Sequence, residues 1–261
     1  MPEGVEIELY RRTAEAAVGR RIVGVDAPDA WFLKRGLTAA ALGPALTGRD
    51  IVGVRRVGKL LLLDTSDGGP VVGLRFGMTG RLVVDGHPGV RELEYSSARD
   101  LPAWDRFTLQ LSGGGQLRIN DPRRLGGVEL DPNESVFGVD ASVITLPQLR
   151  AALSGSVVAL KTRLMDQSRV GGIGNLMADE ILWRAGLDPA RPAGGLEPDE
   201  LRRLHRTIRS VWKELLERGG SHLGRLQASR FPGGTCPRDG EPLERRTIGG
   251  RTTYSCPRHQ R

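Results

Sequence analysis

The sequence predicts an α+β chain, β-rich in its first half, helical in its second, and closed by a small terminal β-hairpin. Three observations carry that prediction. Short apolar stretches broken by Gly, Ser and Asp run through residues 49–86 and return at 106–119, the pattern of strands joined by tight turns. From residue 145 onward, apolar residues recur at helical spacing between Thr, Gly and Pro signals that start and stop helices. Near the C-terminus the chain's two cysteines, Cys236 and Cys256, each open a Cys-Pro-Arg-x step, one on either side of a Gly-Gly turn.

Each element follows in order. Residues 3–18, EGVEIELYRRTAEAAV, set Val5, Leu9 and Ala16 among charges and read as a leading helix. The stretch RFTLQLSGGGQLRI reads as a hairpin, with Phe107, Leu109 and Leu111 alternating up to a triple-glycine turn. Several short strands at this spacing make a sandwich or a barrel. In the second half, TLPQLRAALSG opens on a Thr cap, and NLMADEILWRAG stops on glycine. The long EPDELRRLHRTIRSVWKELLERGG places Leu201, Leu204, Ile208, Val211, Trp212 and Leu215 on one face. The chain therefore divides into a β domain over 1–131, a hinge over 132–145, a helical domain over 146–228 and a hairpin over 229–261.

Composition narrows the function classes. Hydrophobic residues make up 39% of the chain, and no apolar run is long enough to span a bilayer. The residues after Met1 are acidic and lack the apolar core of a signal peptide. Two cysteines cannot build a disulfide framework, and their paired spacing suits a metal, so a cytoplasmic location is expected. Lys and Arg number 38 against 31 Asp and Glu, a net charge of +7 that favours a polyanionic partner, although arginine-rich coding also raises this number.

Two stretches carry candidate chemistry. Pro2 is small enough for Met1 to be removed, which leaves a secondary amine that titrates near ~8 and can attack a carbonyl-level carbon to form an iminium. Glu3 and Glu6 lie close to that amine; equally, PEGVEIE reads as an ordinary helix start with acids at the positive end of the dipole. The second stretch is VGGIGN at 170–175, where glycines before a helix free backbone N–H groups for a phosphate and Asn175 adds a side-chain donor. It is neither a dinucleotide fingerprint nor a P-loop.

Taken together and in order, MPEGVEIE, GKLLLL at 58–63, FGMTG at 76–80, NDPRRLGG at 120–127, LMDQSRVGGIGNLMADEILWRAGLDP and the terminal hairpin resemble the formamidopyrimidine-DNA glycosylase / endonuclease VIII family over nearly the whole chain. The resemblance implies an N-terminal β-sandwich, a helix–two-turn–helix domain and a hairpin zinc finger. It implies a monomeric bifunctional DNA glycosylase and abasic-site lyase of base excision repair, acting on damaged duplex or single-stranded DNA without an organic cofactor. On the matching positions, Pro2 is the nucleophile at C1′, Glu3 the general acid/base, Glu6 a supporting acid and Lys59 the lysine that reaches the active-site phosphates. Met78, Arg123 and Leu125 match the residues that fill the gap left by the flipped nucleotide. Asn175, Arg251 and Lys161 match DNA-contact positions, while His87, His205 and His222 match no functional position.

The terminal hairpin departs from the family's two Cys-x-x-Cys pairs. Asp239 and His259 stand where the second cysteine of each pair is usual, and Cys236, Asp239, Cys256 and His259 together form an unusual but chemically competent set for one zinc ion. Leu125 replaces a usual phenylalanine. The stretch GGSHLGRLQASRFPGGTC is shorter than its family counterpart, which normally holds the loop that closes over an oxidised purine. Formamidopyrimidines, oxidised pyrimidines, single-stranded lesions and abasic sites thus stay open as substrates. Two other functions fit parts of the sequence: a lesion- or abasic-site-binding DNA protein with weak or no glycosylase activity, and a zinc-ribbon RNA- or ribosome-binding protein.

Overall fold

The computed structural model describes residues 2–261 apart from Tyr95 and Ser97. Met1, whose removal the sequence predicts, lies outside the described residues. The chain forms two compact units, one of Pro2 with Glu6–Glu134 and the other of Glu3–Val5 with Ser135–Arg261.

The first unit holds α1 (Gly4–Ala14) from Glu6 onward, followed by β1 (Ile22–Asp26), α2 (Ala39–Leu46), β2 (Ile51–Val57), β3 (Leu60–Thr65), β4 (Val72–Arg75) and β5 (Arg81–Val84). It continues through β6 (His87–Pro88), β7 (Asp105–Leu111), β8 (Gly115–Asn120) and β9 (Gly127–Leu130). The strands make two antiparallel sheets, ordered β1-β7-β8-β5-β6 and β2-β3-β4-β9. Leu61, Leu63 and Leu74 of one sheet and Leu82, Phe107, Leu109, Leu117 and Ile119 of the other share a single buried core, so the β domain is a sandwich. Ile7, Tyr10 and Ala14 of α1 belong to the same core. In the β7–β8 hairpin Leu109 faces Leu117, and Gly113 and Gly114 take φ of +83° and +87° in the connecting turn, a conformation glycine adopts without a Cβ clash.

The second unit contains β10 (Val139–Asp140), α3 (Leu146–Leu153), α4 (Leu160–Met165), β11 (Val170–Gly171), α5 (Asn175–Ala185), α6 (Pro198–Arg218), β12 (Glu244–Ile248) and β13 (Arg251–Ser255). Thr145 closes a capping box with Gln148 at the start of α3. Gly186 and Gly219 stop α5 and α6 in the left-handed conformation. The six apolar residues of α6 named from spacing are all buried, against Met177, Ala178 and Ile181 of α5. The 132–145 stretch, expected as a hinge, contributes Ala141 and Ile144 to this core. Strands β12 and β13 pair across Gly249 and Gly250, whose φ values of +56° and +72° suit the tight hairpin turn. Among the described residues no helix is long and apolar enough to cross a membrane.

Candidate active site and metal cluster

Pro2 is buried at the wall of a pocket of about 220 Å³, lined also by Ile7, Lys59, Arg75, Phe76, Gly77 and Leu125. Lys59 reaches it from the β2–β3 turn, where Gly58 takes φ +57° and Arg56 Nη1 donates to the Gly58 carbonyl at 2.9 Å. Glu6 is buried on α1. Arg75, which the sequence did not single out, is held by Glu129 through Nε at 2.8 Å and Nη2 at 2.7 Å. Behind the pocket, Tyr10 stacks obliquely on Phe76 with ring centroids 4.5 Å apart and donates to the Gly80 carbonyl. Burial, reinforced by the nearby Glu6 charge, raises Tyr10 well above 10, so the phenol stays neutral.

In the second unit, the glycine-rich turn before α5 differs from its expected use. Backbone donors where the turn meets α5 are taken by the chain's own carboxylate: Glu3 accepts from Gly174 N at 3.0 Å, Leu176 N at 2.8 Å and Met177 N at 3.0 Å. The N-terminal end of a helix is a site for an anion, and here the anion is Glu3. Gly174 is required for close approach, since a Cβ there would lie 2.3 Å from Glu3 Cδ. Asn175 occupies the first position of α5, beside these bonds, half-buried.

The residues expected to fill the gap sit on two turns of the first unit joined by one buried carboxylate. Asp121 accepts from Thr79 Oγ1 at 2.5 Å, Arg123 N at 3.2 Å and Gly126 N at 2.9 Å. It therefore ties the Met78 turn to the turn that exposes Arg123 and Leu125, the latter 48% accessible. Gly77, at φ +56°, lets the two turns touch; a Cβ there would fall 2.4 Å from the Leu125 carbonyl carbon. The sequence signal for Asp121 was present in NDPRRLGG, but only the fold shows what it joins.

Arg251 lies exposed at the start of β13, next to the glycine turn, as expected. Lys161 does not lie where its DNA-contact reading requires. It is 0% accessible, and its ammonium meets Asp179 Oδ1 at 2.7 Å, Thr253 Oγ1 at 2.8 Å and the Thr252 carbonyl at 3.1 Å. Arg230 completes the cluster at 2.8 Å from Asp179 Oδ2. A charge enclosed by these partners has no exposed surface to offer a phosphate, so Lys161 is an internal tie between α4, α5 and β13. The shortened stretch before Cys236 is also tied down, with Leu226 buried and its amide, like that of Arg225, donating to Glu180 at 2.8 and 3.1 Å.

The four expected metal ligands do converge: one ligand atom from each of Cys236, Asp239, Cys256 and His259 lies within 4.8 Å of the others. Cys236 Sγ is 3.7 Å from His259 Nδ1, and Cys256 Sγ is 3.5 Å from the Asp239 carboxylate oxygens. A tetrahedral ion with sulfur at ~2.3 Å and nitrogen or oxygen at ~2.0 Å sets such pairs about 3.5 Å apart, so the residues fit one ion. The surroundings orient them. Trp183 Nε1 donates to Cys236 Sγ at 3.3 Å, and the Trp183 carbonyl, which can only accept, takes His259 Nε2 at 3.2 Å and leaves Nδ1 facing the cluster. Burial acts to raise Asp239, but hydrogen bonds from His259, the Glu241 amide and both thiols prevail and hold it well below the usual carboxylate range. Burial, offset in part by the His259 and Arg258 amides and reinforced by Cys236, pushes Cys256 up to about 11, so a cation is needed to make it a thiolate near neutral pH.

Comparison with known proteins finds relatives over the whole chain. Residues 1–128 match the family profile "Formamidopyrimidine-DNA glycosylase N-terminal domain", and residues 137–226 match "Formamidopyrimidine-DNA glycosylase H2TH domain". The chain is 31% identical to the formamidopyrimidine-DNA glycosylase of Pelotomaculum thermopropionicum, covering 100% of this chain and 99% of that protein. It is 35% identical to that of Xanthomonas campestris pv. campestris, with 100% of both chains covered. Among solved structures, the complex of Lactococcus lactis FPG (MutM) with a FAPY-dG-containing DNA superposes with a TM-score of 0.81 at 26% identity, over 98% of this chain and 99% of that one.

Proposed function

This chain belongs to the formamidopyrimidine-DNA glycosylase family, and we infer from that membership and from its own site that it is a DNA glycosylase and abasic-site lyase of base excision repair. The observation that carries the catalytic reading is the pocket in which Pro2 and Lys59 share a wall, with Glu3 next in the chain and anchored on the amides of α5. The Pro2 amine, freed of Met1, attacks C1′ of the damaged nucleotide; the C1′–N bond breaks and the base leaves with a proton. Ring opening gives the iminium between Pro2 and the sugar. Loss of a C2′ proton then expels the 3′ phosphate, and water returns the free amine. Glu3 carries protons at the sugar, and Lys59 holds the phosphate with its charge. Met78, Arg123 and Leu125 fill the duplex gap, Leu125 as the apolar wedge and Arg123 as donor to the orphaned base. Asn175 and Arg251 bind flanking phosphates. With the loop-bearing stretch short and tied down, the substrates to place first are abasic sites, formamidopyrimidines and oxidised pyrimidines.

Borohydride reduction in the presence of abasic duplex tests this reading. A covalent protein–DNA adduct is expected from the chain with a native N-terminus and none from a form extended by a few residues before Pro2. DNA binding with no adduct from the native chain would put the lesion-binding function in its place.

We assign zinc to the four-residue cluster, where it would stabilise the hairpin that presents Arg251 and take no part in bond breaking. A donor set of two sulfurs, one imidazole and one carboxylate at these spacings suits it. Elemental analysis of the purified chain is expected to find about one zinc per molecule, and Cys256→Ser to abolish it. Retention of that zinc by the Cys256→Ser and His259→Ala variants alike would sink the assignment.

A further inference from the structure

Trp31 is 69% accessible, although the turn that carries it is firmly built. It sits in a single 3-10 turn, Ala30–Phe32, whose first amide bond is made by Asp29: the carboxylate accepts from Trp31 N at 3.1 Å. The next residue, Phe32, is fully buried in the sandwich core, and Lys34 N donates to the Val128 carbonyl at 2.9 Å. The indole is thus held outward by its neighbours on both sides. A lone exposed aromatic residue is ordinary on a protein surface. Three further observations set this one apart.

First, the Trp31 turn is joined to the turn that exposes Arg123 and Leu125. Asp29 takes both Nε and Nη2 of Arg124, at 2.6 and 2.7 Å, and a Cβ on Gly126 would fall 2.9 Å from Phe32 Cζ. Second, Lys34 Nζ lies 5.1 Å from the centroid of the Trp31 ring and donates to the Trp31 carbonyl at 2.6 Å, fixing a cation over the indole. Third, Asp29, the carboxylate that accepts from the Trp31 amide, is already paired with Arg124, so it does not cancel the Lys34 charge beside the ring. An exposed indole backed by a cation, rigidly coupled to residues that enter a DNA gap, has the features of a stacking platform for a base on a polyanionic strand.

We propose that Trp31 and Lys34 form a stacking site for an unpaired nucleobase beside the gap that Leu125 fills, which directs this chain toward lesions in mismatched, bubbled or single-stranded DNA. The assignment rests on the glycosylase/lyase reading above and adds a substrate preference to it. A fully paired neighbour stays stacked in the duplex and cannot use the platform, so the preference arises at the aromatic ring and the cation beside it.

The test compares two duplexes carrying a stable abasic analogue, one paired throughout and one with two unpaired nucleotides flanking the lesion. Trp31→Ala is expected to weaken binding to the unpaired DNA by roughly tenfold while changing binding to the paired duplex by less than about twofold. Trp31→Phe is expected to restore most of the difference. Quenching of tryptophan emission by the unpaired DNA should lose a component in Trp31→Phe, a readout independent of how the alanine variant folds. Equal losses on both DNAs, no loss on either, or unaltered quenching in Trp31→Phe would overturn the proposal. Borohydride adducts on plain abasic duplex, measured for wild type and both variants, keep the two readings apart: absence of an adduct from wild type removes the lyase, whereas normal adducts with no Trp31 effect remove only the platform.

Discussion

Glu3→Gln is expected to lower base excision and strand cleavage by about 10²- to 10⁴-fold while abasic-site DNA is still bound. The substitution preserves shape and removes both the charge and the proton-carrying capacity of the group. Its structural cost is separate and smaller. Three backbone N–H groups at the start of α5 are now bonded to the carboxylate, and the glutamine amide can turn only its oxygen toward them. At least the bond to the oxygen that the amide nitrogen replaces is lost, on the order of 1.5–3 kcal/mol from the second unit. Gly174→Ala separates the two effects. The backbone there has φ −118°, which alanine adopts without strain, so the added methyl acts only by its 2.3 Å contact with Glu3 Cδ. It is expected to displace an intact carboxylate and to reproduce most of the rate loss. Single-turnover excision and cleavage, read beside thermal melting, check both variants. Full activity in Gly174→Ala would mean that the amide cradle does not set the position of Glu3.

That cradle is not legible in the sequence for a physical reason. VGGIGN announces free amides before a helix, and the sequence supports an external phosphate equally well as an internal acid. The partner lies 171 residues away from Gly174, and no local pattern encodes such a pairing. By contrast, whatever depends on neighbours in the chain is readable. The Thr145 cap, the glycine stops of α5 and α6, and the buried face of α6 follow from periodicity and caps. The four-ligand cluster is readable because each pair of ligands is three residues apart and the hairpin between them fixes the rest. Asp121 and Arg75 fall between these cases. Both lie inside recognisable motifs, yet their work is to hold other segments, which only the packed sandwich reveals. Lys161 misleads for a different reason. Helix α4 has six residues, fewer than two turns, too short for spacing to say which side faces inward.

Lys161→Ala is expected to destabilise the second unit by about 3–5 kcal/mol, a drop in melting temperature on the order of 10 °C. Burial works against the charged ammonium and the Asp179 carboxylate works for it; burial prevails, and the lysine is lowered from its usual 10.5. A folded-state value below the unfolded one means that the unfolded chain binds more protons in the interval between them. Stability of the wild type should therefore rise with pH across that interval, up to about 10.5, and this increment should vanish in the variant. Removing the ammonium leaves Asp179 with Arg230 at 2.8 Å and the Tyr254 amide at 3.2 Å, but strips Thr253 Oγ1 and Asp179 Oδ1 of their donor. Lys161→Met, which keeps the volume, should lose less and stay folded, so it can report on DNA. A lysine that neutralises a phosphate contributes about one unit to the slope of log affinity against log salt. With its ammonium enclosed, Lys161 should contribute none: the methionine variant is expected to keep the wild-type slope, whereas Arg251→Ala, altering an exposed guanidinium, should reduce it by about one. A reduced slope in Lys161→Met would return this lysine to the DNA interface and require that the Asp179 cluster open on binding.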